Sequence, residues 1–204
     1  PHDDLTMAVL GSVVPAATRI LTDTLDRIVG EAPIVVDARS PLPIRLDVDE
    51  PLTVGADRIV NTLAAKEMYG RDTIAVDLGT ATTFDVISAS GDYLGGVICP
   101  GVEISADALF QRAARLPRVD VRRPDRVIGT STMESIRSGL YFGYVAMVEG
   151  LVVRLRAEIG DDQPAICVAT GGLAGTIAGE TPAIDHVSPD LTLHGLRLAW
   201  NRNV

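Results

Sequence analysis

Asp77-Leu78-Gly79-Thr80-Ala81-Thr82-Thr83-Phe84-Asp85 is the stretch whose residue types point most directly to chemistry. An apolar run over residues 73–78 reads as a strand that delivers Asp77 to its carboxyl end. Gly79 permits a tight hairpin whose neighbouring amides can face an anion. Thr80, Thr82 and Thr83 offer hydroxyl donors to phosphate oxygens, and Asp77 can hold a cation as a hard oxygen ligand, directly or through water. The same residues also make an ordinary β-hairpin, since threonine is a good strand former. Residue types alone leave these two readings in balance.

A second group is Gly55-Ala56-Asp57-Arg58, at the start of a helix that follows a proline-rich loop. An aspartate there is commonly a cap, and the spacing alone favours that role. A carboxylate beside a guanidinium can also stay ionised and take a proton from a substrate hydroxyl. Arg58 could hold a substrate carboxylate by a two-point contact. Asn61 lies one turn on along the same face. A third group, Ala169-Thr170-Gly171-Gly172-Leu173-Ala174, takes a strand into two glycines and a helix. That shape suits the face of a nucleotide base or ribose, and it is also a frequent plain turn. A fourth, Ile128-Gly129-Thr130-Ser131-Thr132, is rich in hydroxyls before a long helix, with Glu134 or Ser135 placed for a capping box. His2, His186 and His194 show no ligand spacing. Cys99 and Cys167 are isolated, with no CxxC, so neither a zinc site nor a disulfide framework is expected.

The elements that must position these residues follow from periodicity. Residues 7–14 read as a buried strand stopped by Pro15. Ala17, Ile20, Leu21, Thr24, Leu25 and Ile28 repeat at helical spacing until Gly30. A short strand over 33–37 precedes a connection with Pro41, Pro43 and Pro51. Residues 55–70 read as a helix, and 73–78, 82–88 and 93–99 as a meander with tight turns. Helices are predicted over 103–115 and 132–159, a strand over 165–170, and a last helix over 191–200. In the long helix Ile136, Leu140, Gly143, Met147, Leu151 and Leu155 make one seam, and Gly139, Gly143 and Gly150 would admit another backbone. The boundary between two parts is expected near residues 70–73.

The chain has 204 residues, 47% hydrophobic and 22% charged, the profile of a folded protein. Its formal net charge of -9 would repel a phosphate backbone, so general nucleic-acid binding is not expected. Lys66 is the only lysine and has no glycine-rich loop before it, which argues against a P-loop kinase. The apolar stretch 140–153 is interrupted by Glu149 and reads as a buried helix rather than a membrane span. The N-terminal Pro-His-Asp-Asp has neither a basic segment nor a cleavage site, and a cytoplasmic protein is the default.

In order along the chain, these segments resemble one family, type III pantothenate kinase. The resemblance rests on GSVVP at 11–15, VGADRIVNTLAA at 54–65, VDLGTATTFDVIS at 76–88 and YLGGVICPGVEIS at 93–105. It continues through IGTSTMESIRSG at 128–139, GLVVRLR at 150–156, ATGGLA at 169–174 and DLTLHGLRLAWNRN at 190–203. The conjunction of GADR with DLGTATTFD is specific where either alone is weak. The resemblance implies an α/β fold of the ribonuclease H-like, actin-like ATPase type, with two related domains and the active site in the cleft. Residues 1–72 would then be the remainder of an incomplete first domain and 73–204 the second.

It further implies a homodimer that transfers the ATP γ-phosphate to pantothenate, the first step of coenzyme A synthesis, with Mg²⁺ and a monovalent cation, potassium or ammonium. Asp57 would be the general base. Gly55, Ala56, Asp57 and Arg58 would bind pantothenate with Thr132. Asp77 would hold the monovalent cation, and Thr80 beside Gly79 would contact ATP phosphate. Two departures stand out. The family's opening hairpin, with an Asp-x-Gly-Asn-Thr loop for phosphates and Mg²⁺, has no counterpart before residues 11–15. The chain also begins with Pro1. Together these lead to the expectation of a fragment lacking on the order of fifty residues, with an unpaired edge on its first sheet and weak or no activity. Val48 stands where the family often has a substrate-contacting tyrosine. The alternative reading is a non-catalytic regulatory or binding relative, and a weaker one is a kinase of the same superfamily for another alcohol.

Overall fold

The computed structural model describes residues 5–113, 115–160 and 163–202; His2 lies outside them. The described residues divide into two compact units. One takes the residues up to 73, 85–95 and those from 190 onward; the other takes 74–84 and 96–189.

In the first unit, β1 (Val9–Gly11) and β2 (Ile34–Val36) pair in parallel, Val9 opposite Ile34 and Gly11 opposite Val36. Among the described residues these two strands form a sheet by themselves. The helix between them, α1 (Pro15–Val29), starts on a proline whose fixed φ already suits a first turn. The strand expected over 7–14 is shorter, half-buried and ends at Gly11, so Pro15 opens the helix and does not stop the strand. No residue of α1 is fully buried, and Ile20, Leu21 and Ile28 are exposed. α2 (Ala56–Tyr69) and α6 (Leu191–Asn201) carry this unit's core, with Ile59, Val60 and Leu63 against Val36 and Ala199. A side chain at Gly195 of α6 would run into the Val60 carbonyl, so the two helix backbones meet there. Thr192 Oγ1 donates to Asn61 Oδ1 at 2.9 Å and fixes their register.

β3 (Thr73–Leu78), β4 (Ala81–Ile87) and β5 (Tyr93–Pro100) form the expected meander. They join β6 (Ile166–Thr170) and β7 (His186–Val187) in one sheet of order β5-β4-β3-β6-β7, with β6 and β7 parallel. The second unit's core gathers Ile74, Val76, Leu78 and Phe84 with Cys167 and Ala169 against α4 (Thr132–Ile159). α3 (Val102–Arg112) and the short α5 (Ala174–Ala178) complete it.

The buried face of α4 is broader than the expected seam. Leu140 is buried and Ile136, Met147, Leu151 and Leu155 pack at the core's edge as expected, while Tyr141, Tyr144, Val145, Val148 and Val152 fill its centre. Gly139 and Gly143 face outward, with nothing within 4 Å of where a Cβ would stand. By length and composition α4 could cross a membrane. Its packed face is that of a core helix.

Candidate functional site

The first group of candidate residues lies at the N-terminus of α2, inside the first unit. Gly55 is the N-cap residue and Ala56 the first helical one. Asp57 Oδ1 accepts from the Arg58 backbone N–H at 2.8 Å, satisfying one of the donors a helix start leaves free. Asp57 is therefore a first-turn acid and not the cap residue expected of it, since Gly55 holds that position without a side-chain cap bond, and its carboxylate is half-exposed. A Cβ at Gly55 would stand 2.5 Å from that oxygen, so a side chain there would push the carboxylate aside.

Arg58 is held from two sides. Its Nε donates to Asp85 Oδ1 at 2.5 Å, and its Cζ lies 5.2 Å from the centre of the Tyr93 ring. The Asp85 side chain is fully buried, whereas Arg58 keeps 15% of its side-chain surface. Removing one partner of such a buried pair strands the other charge and costs about 3–5 kcal/mol. Burial first, and then the Asp85 charge, push the Tyr93 phenol up to about 12.

The second group lies in the second unit, at the end of β3. Gly79 N–H donates back to Ala81 O at 3.2 Å, closing the expected hairpin. Gly79 and Thr80 are exposed at its tip. Gly171 comes against the same tip with φ +88, and a Cβ on it would stand 2.6 Å from Asp77 Oδ1. Gly101 is as close on the other flank, against the Gly79 and Thr80 carbonyls. Gly172 is exposed, with nothing within 4 Å of its Cβ position. The structure therefore gathers Asp77, Gly79, Thr80, Gly171 and Gly172 around one turn.

The three threonines do not share a role. Thr82 is buried and its hydroxyl is bonded to the Tyr144 hydroxyl, so it is engaged inside the core and offers nothing to a phosphate. β4 begins at Ala81, so Thr80 stands in the turn before it and is exposed, while within β4 alternation sends Thr82 inward and Thr83 to the opposite, half-buried face. Among the described residues no three His, Cys, Asp or Glu side chains cluster for a metal. Asp77 places its carboxylate at this turn, with the Leu78 carbonyl likewise beside Gly171. Such a donor set suits a cation that keeps water or phosphate ligands, not one enclosed by protein.

Thr132 is the first residue of α4 and is exposed. Ser131 caps that helix by accepting from the Glu134 N–H at 3.2 Å. Glu134 in turn accepts from the backbone and hydroxyl of Thr130, at 2.8 and 2.9 Å. These bonds hold its carboxyl below the usual range, the backbone bond contributing most. Beside this loop Arg122, Arg123, Arg126 and Arg137 line an open cavity of about 540 Å³.

The family model for type III pantothenate kinase matches residues 1–154. A type III pantothenate kinase of Moorella thermoacetica is 50% identical over 197 residues, 96% of this chain and 76% of that protein. One of Koribacter versatilis is 49% identical over 195 residues, 96% of this chain and 70% of that protein. The chain belongs to the type III pantothenate kinase family.

Among solved structures, a protein of Campylobacter jejuni described as a Baf family transcriptional activator aligns with a TM-score of 0.62 at 20% identity. It covers 94% of this chain and 80% of that one, and the likeness is one of fold.

Seen as a member of this family, the chain holds two residues that sequence reasoning passed over, Asp85 and Tyr93. Asp85 closes the DLGTATTFD motif, eight residues after Asp77, and Tyr93 opens the next strand. Nothing in their spacing relates them to Arg58. A charged residue inside the otherwise apolar run 84–87 was the available signal. Val48 lies beside Gly95, 3.7 Å from its Cβ position, and gives the site no hydroxyl.

Proposed function

We propose that this chain is a pantothenate kinase, transferring the γ-phosphate of ATP to the 4′-hydroxyl of pantothenate in the first step of coenzyme A synthesis. The observation that carries this is the α2 N-terminus. There an accessible carboxylate, Asp57, adjoins a guanidinium, Arg58, which is fixed by Asp85 and Tyr93. Identity of about half to named kinases over nearly the whole chain supports it. Asp57 accepts the hydroxyl proton as the new oxygen–phosphorus bond forms. The bond from the γ-phosphorus to its bridging oxygen breaks, and ADP leaves with that oxygen. Phosphoryl transfer asks for positioning and charge neutralisation more than covalent chemistry.

Arg58 holds the pantothenate carboxylate, with Gly55, Ala56 and Thr132 as further contacts. Gly79 and Thr80 meet the ATP phosphates, and Gly171 and Gly172 the nucleoside. Asp77 takes a monovalent cation, potassium or ammonium, and Mg²⁺ accompanies the phosphates. Bound cations supply charge neutralisation at the phosphoryl group.

On this reading the fold is of the ribonuclease H-like, actin-like ATPase type. The chain divides into an N-terminal domain portion, residues 1–72, and a C-terminal domain, 73–204, with α6 returning to α2. The protein is cytoplasmic. It is a homodimer whose interface includes the outward Gly139 and Gly143 face of α4, and a monomer at micromolar concentration in sedimentation would refute that.

The test is ADP release with ATP, Mg²⁺ and potassium, with and without pantothenate, on this chain and on a form carrying a family-type Asp-x-Gly-Asn-Thr hairpin before it, each beside Asp57→Asn. Pantothenate-dependent release from the hairpin-bearing form that disappears in the variant is expected. No such release from folded hairpin-bearing protein would overturn the kinase reading and leave a non-catalytic binding or regulatory relative.

A further inference from the structure

Arg58 and Asp85 are unequal partners. Asp85 Oδ1 lies 2.5 Å from Arg58 Nε, but Asp85 has no exposed side-chain surface while Arg58 retains 15%. Only the arginine can meet a ligand, and the aspartate can act only through it. On the functional reading above, on which this inference rests, we propose that Asp85 is a positioning residue that, with the Tyr93 ring, aims Arg58 at the carboxylate of pantothenate and so sets the preference for an acid over its neutral analogue.

A free arginine side chain samples many rotamers, and ordering it on a ligand costs entropy. Here that ordering is complete beforehand. Nε is taken by Asp85, and the ring face lies 5.2 Å from Cζ. The backbone N–H of the same residue is tied to Asp57 Oδ1 at 2.8 Å. With Nε engaged, the donors left for a ligand belong to the terminal nitrogens. Nη2 is buried there with no partner among the described residues. Tyr93 keeps its proton at neutral pH, so it contributes a ring face and not a second negative charge. A pair serving the fold alone gains nothing from leaving its cation at the surface of the site, since apolar residues pack as well or better.

The experiment is calorimetric titration with pantothenate and with pantothenol, in which a hydroxymethyl group replaces the carboxylate. It is run on the wild type, Asp85→Asn, Arg58→Gln and the Arg58→Gln/Asp85→Asn double variant. Asp85→Asn should weaken pantothenate about tenfold, equivalent to about 1.4 kcal/mol, and pantothenol less than about twofold. The double variant should show the same acid preference as Arg58→Gln alone, because Asp85 has nothing left to act through. Equal losses for the two ligands would make Asp85 a merely structural residue and overturn the proposal. A further drop in preference in the double variant would also overturn it. If Asp85→Asn fails to fold, Asp85→Glu, which keeps the charge but moves the carboxylate, takes its place under the same criterion: a loss for pantothenate well above that for pantothenol is expected, and equal losses overturn the proposal. A folded wild type that binds neither ligand would refute the functional reading itself, and the proposal with it.

Discussion

Gly171 abuts Asp77: a Cβ on the glycine would stand 2.6 Å from the carboxylate Oδ1, and 2.8 Å from the Leu78 carbonyl. With φ at +88 the backbone there also lies where L side chains are strained. Gly171→Ala is therefore expected to cost about 1–3 kcal/mol of stability and to displace the Asp77 carboxylate. ATP affinity should fall with it. Gly172→Ala, whose Cβ position is open, should change stability by less than about 0.5 kcal/mol. Urea unfolding and nucleotide titration of the two variants check this. Equal behaviour of the two glycines would refute the cradle.

Asp57 has two roles that a single substitution separates. Its Oδ1 accepts from the Arg58 N–H in the first turn of α2, and an asparagine Oδ1 can accept the same bond, giving up only the charge's interaction with the helix start, about 0.3–1 kcal/mol. Asparagine cannot take a proton from an alcohol. Asp57→Asn should therefore leave the unfolding midpoint nearly unchanged while kcat falls about 10²–10⁴-fold. KM for pantothenate should move little. A large loss of stability with retained turnover would assign Asp57 to the fold and not to the chemistry.

The parts of the fold legible in the sequence were those with strong local signals. The limits of β3 and α4 agree with periodicity to the residue, since an apolar strand and a capped 28-residue helix are each specified locally. Two local readings failed where tertiary context decides. Gly143 sits within a plausible seam, yet Tyr144 and Val148 fill the core instead. Close helix contact falls at Gly195, which the sequence pattern did not single out, because it depends on where α2 passes. At the candidate site the glycines and Asp57 were readable as turn and helix-start chemistry. Asp85 and Tyr93 were not, since their partner Arg58 is 27 and 35 positions away in sequence and only the fold joins them.

Thr80 and Thr82 should part company under mutation. Thr82→Val leaves the Tyr144 hydroxyl buried without its partner, a loss of about 1–3 kcal/mol. Burial already raises that phenol above its ordinary value. KM for ATP should not change. Thr80→Ala removes an exposed hydroxyl, so stability should hold within about 0.5 kcal/mol. Its KM for ATP should rise about tenfold, the worth of one hydrogen bond to a charged phosphate. Steady-state kinetics with thermal melts on both variants distinguishes the roles, and an ATP effect confined to Thr82→Val would reverse the assignment.

Two buried acids make the protein sensitive to alkali. Burial pushes the Cys167 thiol from 9.0 up to about 12, opposed by the Arg156 charge and aided by that of Asp185. Burial with the Asp85 charge takes the Tyr93 phenol from 10.0 to about 12. In the unfolded chain both groups lose their protons at their ordinary values, while in the folded chain they keep them. Between pH 9 and 12 the unfolded state thus binds fewer protons than the folded one, and stability falls as pH rises. Below pH 9 these groups contribute no slope, because both states hold the proton. Urea midpoints followed upward from neutral pH should be level with respect to these groups and then decline. Cys167→Ala lowers the whole curve by loss of packing in the core, but it should flatten the decline above pH 9. Tyr93→Phe should flatten it from pH 10. A variant that shifts the curve without changing its alkaline slope would show that its side chain is not the titrating group.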